Sequence, residues 1–251
     1  MKERCLYPQH PDEILKELTS PNVEELDEFT KTFPQEIVSF AESFSAAFKK
    51  YLELRHCAEK NAEETRPIDQ KDFVVFFSYQ ILDNLFTSLK TLLMGFQTAS
   101  GNLMRQVAEG VAVVILCATS SEIKRNYKRN GKPKTKTFHY YECFKGDKGY
   151  ARAHMAISLL ENNKEVVIIS DYGIDILKLL KEHYNKYSHP NFWGTSSFIS
   201  IRNPGKMYIG GCFDGGKVEW YKHEIEARIQ FCKKLPQLID GLILRVKDLP
   251  T

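Results

Sequence analysis

The chain has 251 residues, 43% of them hydrophobic and 12% aromatic, with 27% charged, which is ample for a packed core and argues against intrinsic disorder. Its net charge of +3 names no partner, but the charge is unevenly placed: residues 12–28 hold seven acids against the single base Lys16, and residues 124–136 hold seven bases and no acid. The six cysteines are scattered with no C-x-x-C pair, no apolar signal core opens the chain, and the longest uninterrupted apolar run, Val111 to Ala118, is far short of the ~20 residues that span a bilayer. These features predict a cytoplasmic protein with no membrane segment.

Residues 1–33 read as an N-terminal arm, with a short helix near Pro11 to Leu18 and a further turn from Val23 to Phe29. A single domain is expected over residues 34–251. Pro34 suits the first turn of a helix, where its missing N–H is not needed. Ile37, Phe40, Ala41, Phe44, Ala47, Phe48 and Tyr51 then recur at three- and four-residue steps, predicting an amphipathic helix to about Lys60. A polar connector follows over residues 61–70.

Asp69 or Gln70 opens the next helix, in which fourteen of the twenty-two residues from Phe73 to Met94 are apolar, the pattern of a central helix. Gly95 can end it through a left-handed cap. Another helix starts at Thr98 or Ser100 and carries the small residues Gly101, Ala108, Gly110 and Ala112, so neighbours can approach closely. It is expected to run on with a polar face to about Arg129 and to stop at Asn130-Gly131, with a basic loop over residues 131–136. The short connection makes the two long helices antiparallel neighbours.

Phe138 to Phe144 and Tyr150 to Leu160 read as helices, separated by a glycine-containing break at residues 146–149. The stretch Val166 to Ile169 fits either a strand or a helix. Ile174, Leu177, Leu180 and Tyr184 mark a helix that His189-Pro190 ends. Residues 198–202 and 206–210 flank Asn203-Pro204-Gly205, which predicts a β-hairpin at about residues 197–211. A last long helix runs from Val218 to Val246, with Pro236 kinking or interrupting it. The fold expected is mostly α: an up-down bundle of long antiparallel helices with one β-hairpin inserted before the last helix.

No dinucleotide, nucleophile-elbow or zinc-protease motif is present. Gly211 to Lys217 approaches the spacing of a phosphate loop, but Val218 stands where the hydroxyl residue belongs, and a hairpin exit is the simpler reading. His183 and His189, six apart, fall on different helix faces, so no metal site and no cofactor are expected. Arg105 and Glu109, four apart, share a face of the most apolar helix; they read as a structural ion pair, or as part of a polar pocket completed from another helix. Lys124, Arg125, Lys128, Arg129 and Lys132, followed by Phe138, His139, Tyr140 and Tyr141, read as a solvated basic segment or as a surface for RNA, since cations neutralise phosphates and rings stack on bases.

With these residues placed, the chain resembles uncharacterised bacterial helical proteins of the HEPN superfamily (higher eukaryotes and prokaryotes nucleotide-binding) over about Phe73 to Leu242. The elements that carry the resemblance are the helix pair joined across Gly95, with small residues, Arg105 and Glu109; the helix end with Tyr187, Ser188 and His189; and a β-hairpin before the final helix. The superfamily's ribonucleases carry an Arg shortly before such a His, and two copies meet at the cleavage site. Here His189 matches the His, but no Arg precedes it on that helix. The resemblance therefore implies a homodimer and two readings of function. One is a non-catalytic binding or regulatory module, linked to defence or toxin–antitoxin systems. The other is a metal-independent ribonuclease with His189 as acid/base, Arg105 or Lys186 on phosphate charge, and Glu109 in the same polar cluster.

Overall fold

The computed structural model describes residues 10–19, 21–59, 67–129, 131–144, 153–188, 192–203 and 205–249. The expected breaks at residues 61–66 and 146–149 lie outside these, as do Asn130 and His189. Helices α1 (Pro11–Thr19), α2 (Val23–Thr32), α3 (Pro34–Glu59), α4 (Gln70–Leu93) and α5 (Gln97–Cys117) come first. Strands β1 (Ile123–Arg129) and β2 (Lys132–Phe138) follow, then α6 (Ala156–Asn162), α7 (Lys164–Val167), α8 (Asp171–Asn185), α9 (Phe192–Ser196) and α10 (Val218–Asp248). Most of the described residues are helical, and no helix among them is long and apolar enough to cross a membrane.

The predicted helix signals work as local chemistry. Asp69 caps α4 by accepting from the backbone N–H groups of Lys71 (2.7 Å) and Asp72 (3.2 Å), while the Asp72 carboxylate accepts from Asp69 N–H at 2.8 Å. Gly95 ends α4 with φ +85°, and a Cβ there would lie 2.4 Å from the Cys212 backbone nitrogen. The antiparallel pairing of α4 and α5 is tied at both ends. Gln70, at the start of α4, donates to the carbonyls of Cys117 (2.8 Å) and Thr119 (2.9 Å) at the end of α5. Ser88, near the end of α4, donates to the Ser100 carbonyl at 3.1 Å.

The bundle packs α10 on α3, α3 on α4, α4 on α5, and α5 on α8 and α6. The central helix is α5 rather than α4: Val111 through Ala118 are all buried, whereas α4 turns Phe76, Tyr79 and Phe86 about half into solvent. Small residues explain the exchange. A Cβ on Gly101 would sit 2.4 Å from the Tyr187 ring, so this glycine lets α8 press onto α5. The N-terminal segment is anchored to the core: Phe29 on α2 is fully buried and meets Phe213 and Tyr221 edge-on at 4.9 and 4.7 Å between ring centroids. The α10 helix continues through Pro236.

One strand ladder is present among the described residues, but it lies earlier in the chain than expected. Helix α5 stops at Cys117, and the basic segment forms β1 and β2, paired antiparallel from Ile123↔Phe138 to Arg129↔Lys132. Thr119-Ser120-Ser121 breaks the helix, and Gly131, just before β2, takes the positive φ of +75° that a tight ribbon turn favours. Residues 197–211 do turn back, but with a single bridge, Ile199↔Met207. Ser200 N–H still reaches the Lys206 carbonyl at 2.9 Å, but the returning Lys206 N–H goes to the Asn203 carbonyl within the turn, and on the other edge Ile201 N–H goes to the Asp214 carboxylate at 2.6 Å.

Candidate functional site

Two polar features stand out, one inside the bundle and one projecting from it. Glu224 and Arg228 lie on α10 in phase with Tyr221, Ile225, Cys232 and Leu235, and are carried into the core with them. All three guanidinium nitrogens are bonded. Arg228 Nε donates to Ser88 Oγ at 2.9 Å, Nη1 to the Glu224 carbonyl (2.6 Å) and Oε2 (2.7 Å), and Nη2 to Ser100 Oγ at 2.6 Å. Tyr184 OH donates to Glu224 Oε2 at 3.2 Å, and His183 Nε2 meets Oε1 at 3.0 Å. The network thus joins α4, α5, α8 and α10. Burial alone would raise the Glu224 carboxyl, but the His183 hydrogen bond and the Arg228 charge outweigh it and hold the group down at about 2. Burial pushes the Tyr184 hydroxyl well above its ordinary value. The sequence reading missed this network. Its signal was a Glu and an Arg falling on the apolar stripe of the last helix.

The Arg105–Glu109 ion pair does not form. Arg105 Nε and Glu109 Oε1 are both buried without a hydrogen-bond partner, and no ion pair joins the two residues. The order of the residues gives no help: an acid one turn before a base is the slightly better arrangement, as in Glu224–Arg228, and Arg105–Glu109 is the reverse. Glu109 faces α4, where it lines a small cavity with Gln80 and Asn84; Arg105 is not part of that lining. His189, the third member of the expected Arg105–Glu109–His189 cluster, lies outside the described residues, and the two α5 members do not pair. The end of α8 does lie against the start of α5: Ser188 Oγ donates to Asn102 Oδ1 at 3.2 Å. Both residues line a cleft of about 860 Å³ that also takes in Phe96, Ala99, Tyr187 and Tyr208, a volume that holds a small organic molecule.

The phosphate-loop spacing is structural. Lys217 is buried, and its ammonium donates to the carbonyls of Ser196 (2.9 Å) and Ser197 (3.0 Å). Asp214 accepts from Gly216 N–H at 2.9 Å and from Ile201 N–H. Burial opposes its ionisation, but these backbone donors prevail and keep its carboxyl below the ordinary value.

The basic residues are gathered on the ribbon. Cross-strand partners share a face, so the register puts Arg125, Tyr127 and Arg129 of β1 on the same face as Lys136, Lys134 and Lys132 of β2. Lys124 and Lys128 take the other face with Pro133 and Thr135. Lys124, Lys128, Lys132, Lys134 and Lys136 are exposed, and Tyr127 is 36% exposed among them. The root of the ribbon is fixed: Ile123 and Phe138 are buried, and the Asn163 side chain brackets Lys124, accepting from its N–H at 2.7 Å and donating to its carbonyl at 2.9 Å. Comparison of the chain with known protein families, with curated proteins and with solved structures finds no match.

Proposed function

We propose that this protein is a non-catalytic helical binding module, similar in build to the HEPN superfamily, that holds RNA through its basic ribbon. The observation that carries the reading is the register. Five basic positions and a tyrosine share one face of a two-stranded ribbon with no acid among them. Like charges set opposite each other across strands are unfavourable unless an anion lies between them. A phosphate backbone supplies that anion, releases counterions on binding, and leaves Tyr127 to stack on a base. Salt titration of the binding of a short RNA, followed by fluorescence anisotropy, tests it. Lys132→Glu with Lys134→Glu should weaken binding and lower the salt slope by about 2, one for each phosphate no longer neutralised. Unchanged affinity and slope would reduce the ribbon to a solvated surface.

The alternative, a metal-independent ribonuclease using His189, is favoured by the packing of Ser188, the residue before it in sequence, against Asn102 on the helix of Arg105. RNA cleavage that persists with chelator and is lost in His189→Ala would replace the first reading. A homodimer is supported by the half-exposed Phe76, Tyr79 and Phe86 on one side of α4, a surface a second copy would cover; mass by light scattering tests it. Cytoplasmic residence is supported by Cys57, Cys117 and Cys232, which form no disulfide. A link to defence or toxin–antitoxin systems rests on the resemblance alone; an adjacent antitoxin gene would support it.

A further inference from the structure

Glu109 is 5% exposed and sits midway along the central helix, yet its Oε1 atom has no hydrogen-bond partner. A buried carboxylate is costly unless the space beside it supplies a partner, so the lining of that space matters. The carboxylate lines a cavity of about 110 Å³ between α4 and α5. Gln80 and Asn84 stand on the α4 side and Gln106 on the α5 side, and the rings of Phe77 and Phe144 form a wall, their centroids 4.8 Å apart. Gln80 and Gln106 are exposed, so the cavity opens to solvent.

Water can fill this open, polar cavity, and the lining narrows which solute would displace it. An anion would face the Glu109 charge, and an uncharged apolar group would leave Oε1 as it is. A divalent metal asks for more than one carboxylate, and no group of three His, Cys, Asp or Glu among the described residues could hold one. A compact organic cation meets every feature: N–H donors for the carboxylate and for the carboxamide oxygens, and a face for the phenyl rings. We propose that this cavity is a recognition site for a single guanidinium or primary ammonium group, with Glu109 as its charged floor. The group arrives either on a free small molecule or as an Arg or Lys side chain of a partner protein. This site does not depend on what the ribbon binds.

Methylguanidinium chloride and methylammonium chloride, titrated against sodium chloride at equal ionic strength, are the probes, and the Val113 methyl resonances in the cavity wall are the readout. Saturable shifts are expected in the millimolar range with one of the two organic cations and not with sodium. Glu109→Gln should weaken binding about tenfold or more, the loss of one charge-assisted hydrogen bond. Should that variant not fold, Gln106→Met at the exposed rim should weaken binding to a smaller degree. A Gly-Arg-Gly peptide binding more tightly than methylguanidinium would assign the site to a partner's side chain, and weaker or equal binding to a free cation. Absence of saturable shifts with both organic cations, or binding unchanged in the variants, would overturn the proposal.

Discussion

Glu224 and Arg228 are one turn apart on α10, joined between Oε2 and Nη1 at 2.7 Å, and their side chains are 5% and 1% exposed. A buried ion pair contributes little net stability over an apolar pair of the same volume, but breaking one partner strands a charge. Arg228→Met should therefore cost about 3–5 kcal/mol. Adding Glu224→Leu to the same chain should restore most of it. Urea midpoints of the wild type and both variants decide the matter; a single change costing under about 1 kcal/mol would mean that water reaches the stranded carboxylate.

The same carboxylate makes acid stability predictable in sign. Its value falls from 4.5 to about 2 on folding, so its contribution is present in full above pH 4.5 and is lost as the pH drops through the folded value. Roughly 2–4 kcal/mol of stability should disappear over that window. Denaturant titrations at stepped pH should show the decline in wild type, and Glu224→Gln, though less stable at neutral pH, should lack this component of it.

Gly101 of α5 lies hard against Tyr187, two residues beyond the end of α8. A methyl group there would meet the Tyr187 ring at 2.4 Å, and the ring also walls the 860 Å³ cleft. Gly101→Ala should destabilise by about 1–3 kcal/mol through overpacking, despite the higher helix propensity of alanine. Combining it with Tyr187→Leu should recover part of the loss, since the conflict is with the ring. Additive losses in thermal melts would place the strain elsewhere.

How far the sequence announced this molecule depends on the range of the interactions involved. The long helices were legible because their signals are local: Pro34 at a start, Asp69 capping three residues on, Gly95 needing a positive φ, and apolar steps of three and four between them. The basic segment shows its charge in the sequence, but its expected helix end and loop are the two strands of a ribbon. The apolar run of Val107 to Cys117 favours helix beyond Thr119, although Asn130-Gly131 and the Lys-Thr alternation after it have the period of a ribbon. The turn at residues 197–211 was visible, but the Asp214 carboxylate that takes the Ile201 amide is thirteen residues away. Glu224 and Arg228 were hidden by expectation, since charges on a long helix belong to its wet face in most cases. The partners Ser88, Ser100 and His183 come from other helices, and no periodicity within α10 points to them. The spacing of Glu109 from Arg105 is visible in the sequence, but what Glu109 faces is set by α4.

The ribbon's placement depends on one side chain that has no charge. Asn163, 4% exposed at the end of α6, accepts from Lys124 N–H and donates to the Lys124 and Leu159 carbonyls. It treats the start of β1 as a third strand would, and it ties that start to the helix behind it. Asn163→Leu keeps the volume close and removes all three bonds, leaving backbone groups of Lys124 without partners. The loss should be about 1–3 kcal/mol. Its location is the sharper prediction: amides of β1 and β2 should exchange faster with solvent, while those of α4 and α5 keep their protection. RNA affinity should fall although no basic residue has been touched, because a ribbon free to swing presents its cations in many arrangements instead of one. Asn163→Asp retains the acceptor for Lys124 N–H and loses the donors, so it should fall between the two. If hydrogen exchange leaves the ribbon as protected in Asn163→Leu as in the wild type, then burial of Ile123 and Phe138 alone holds it in place.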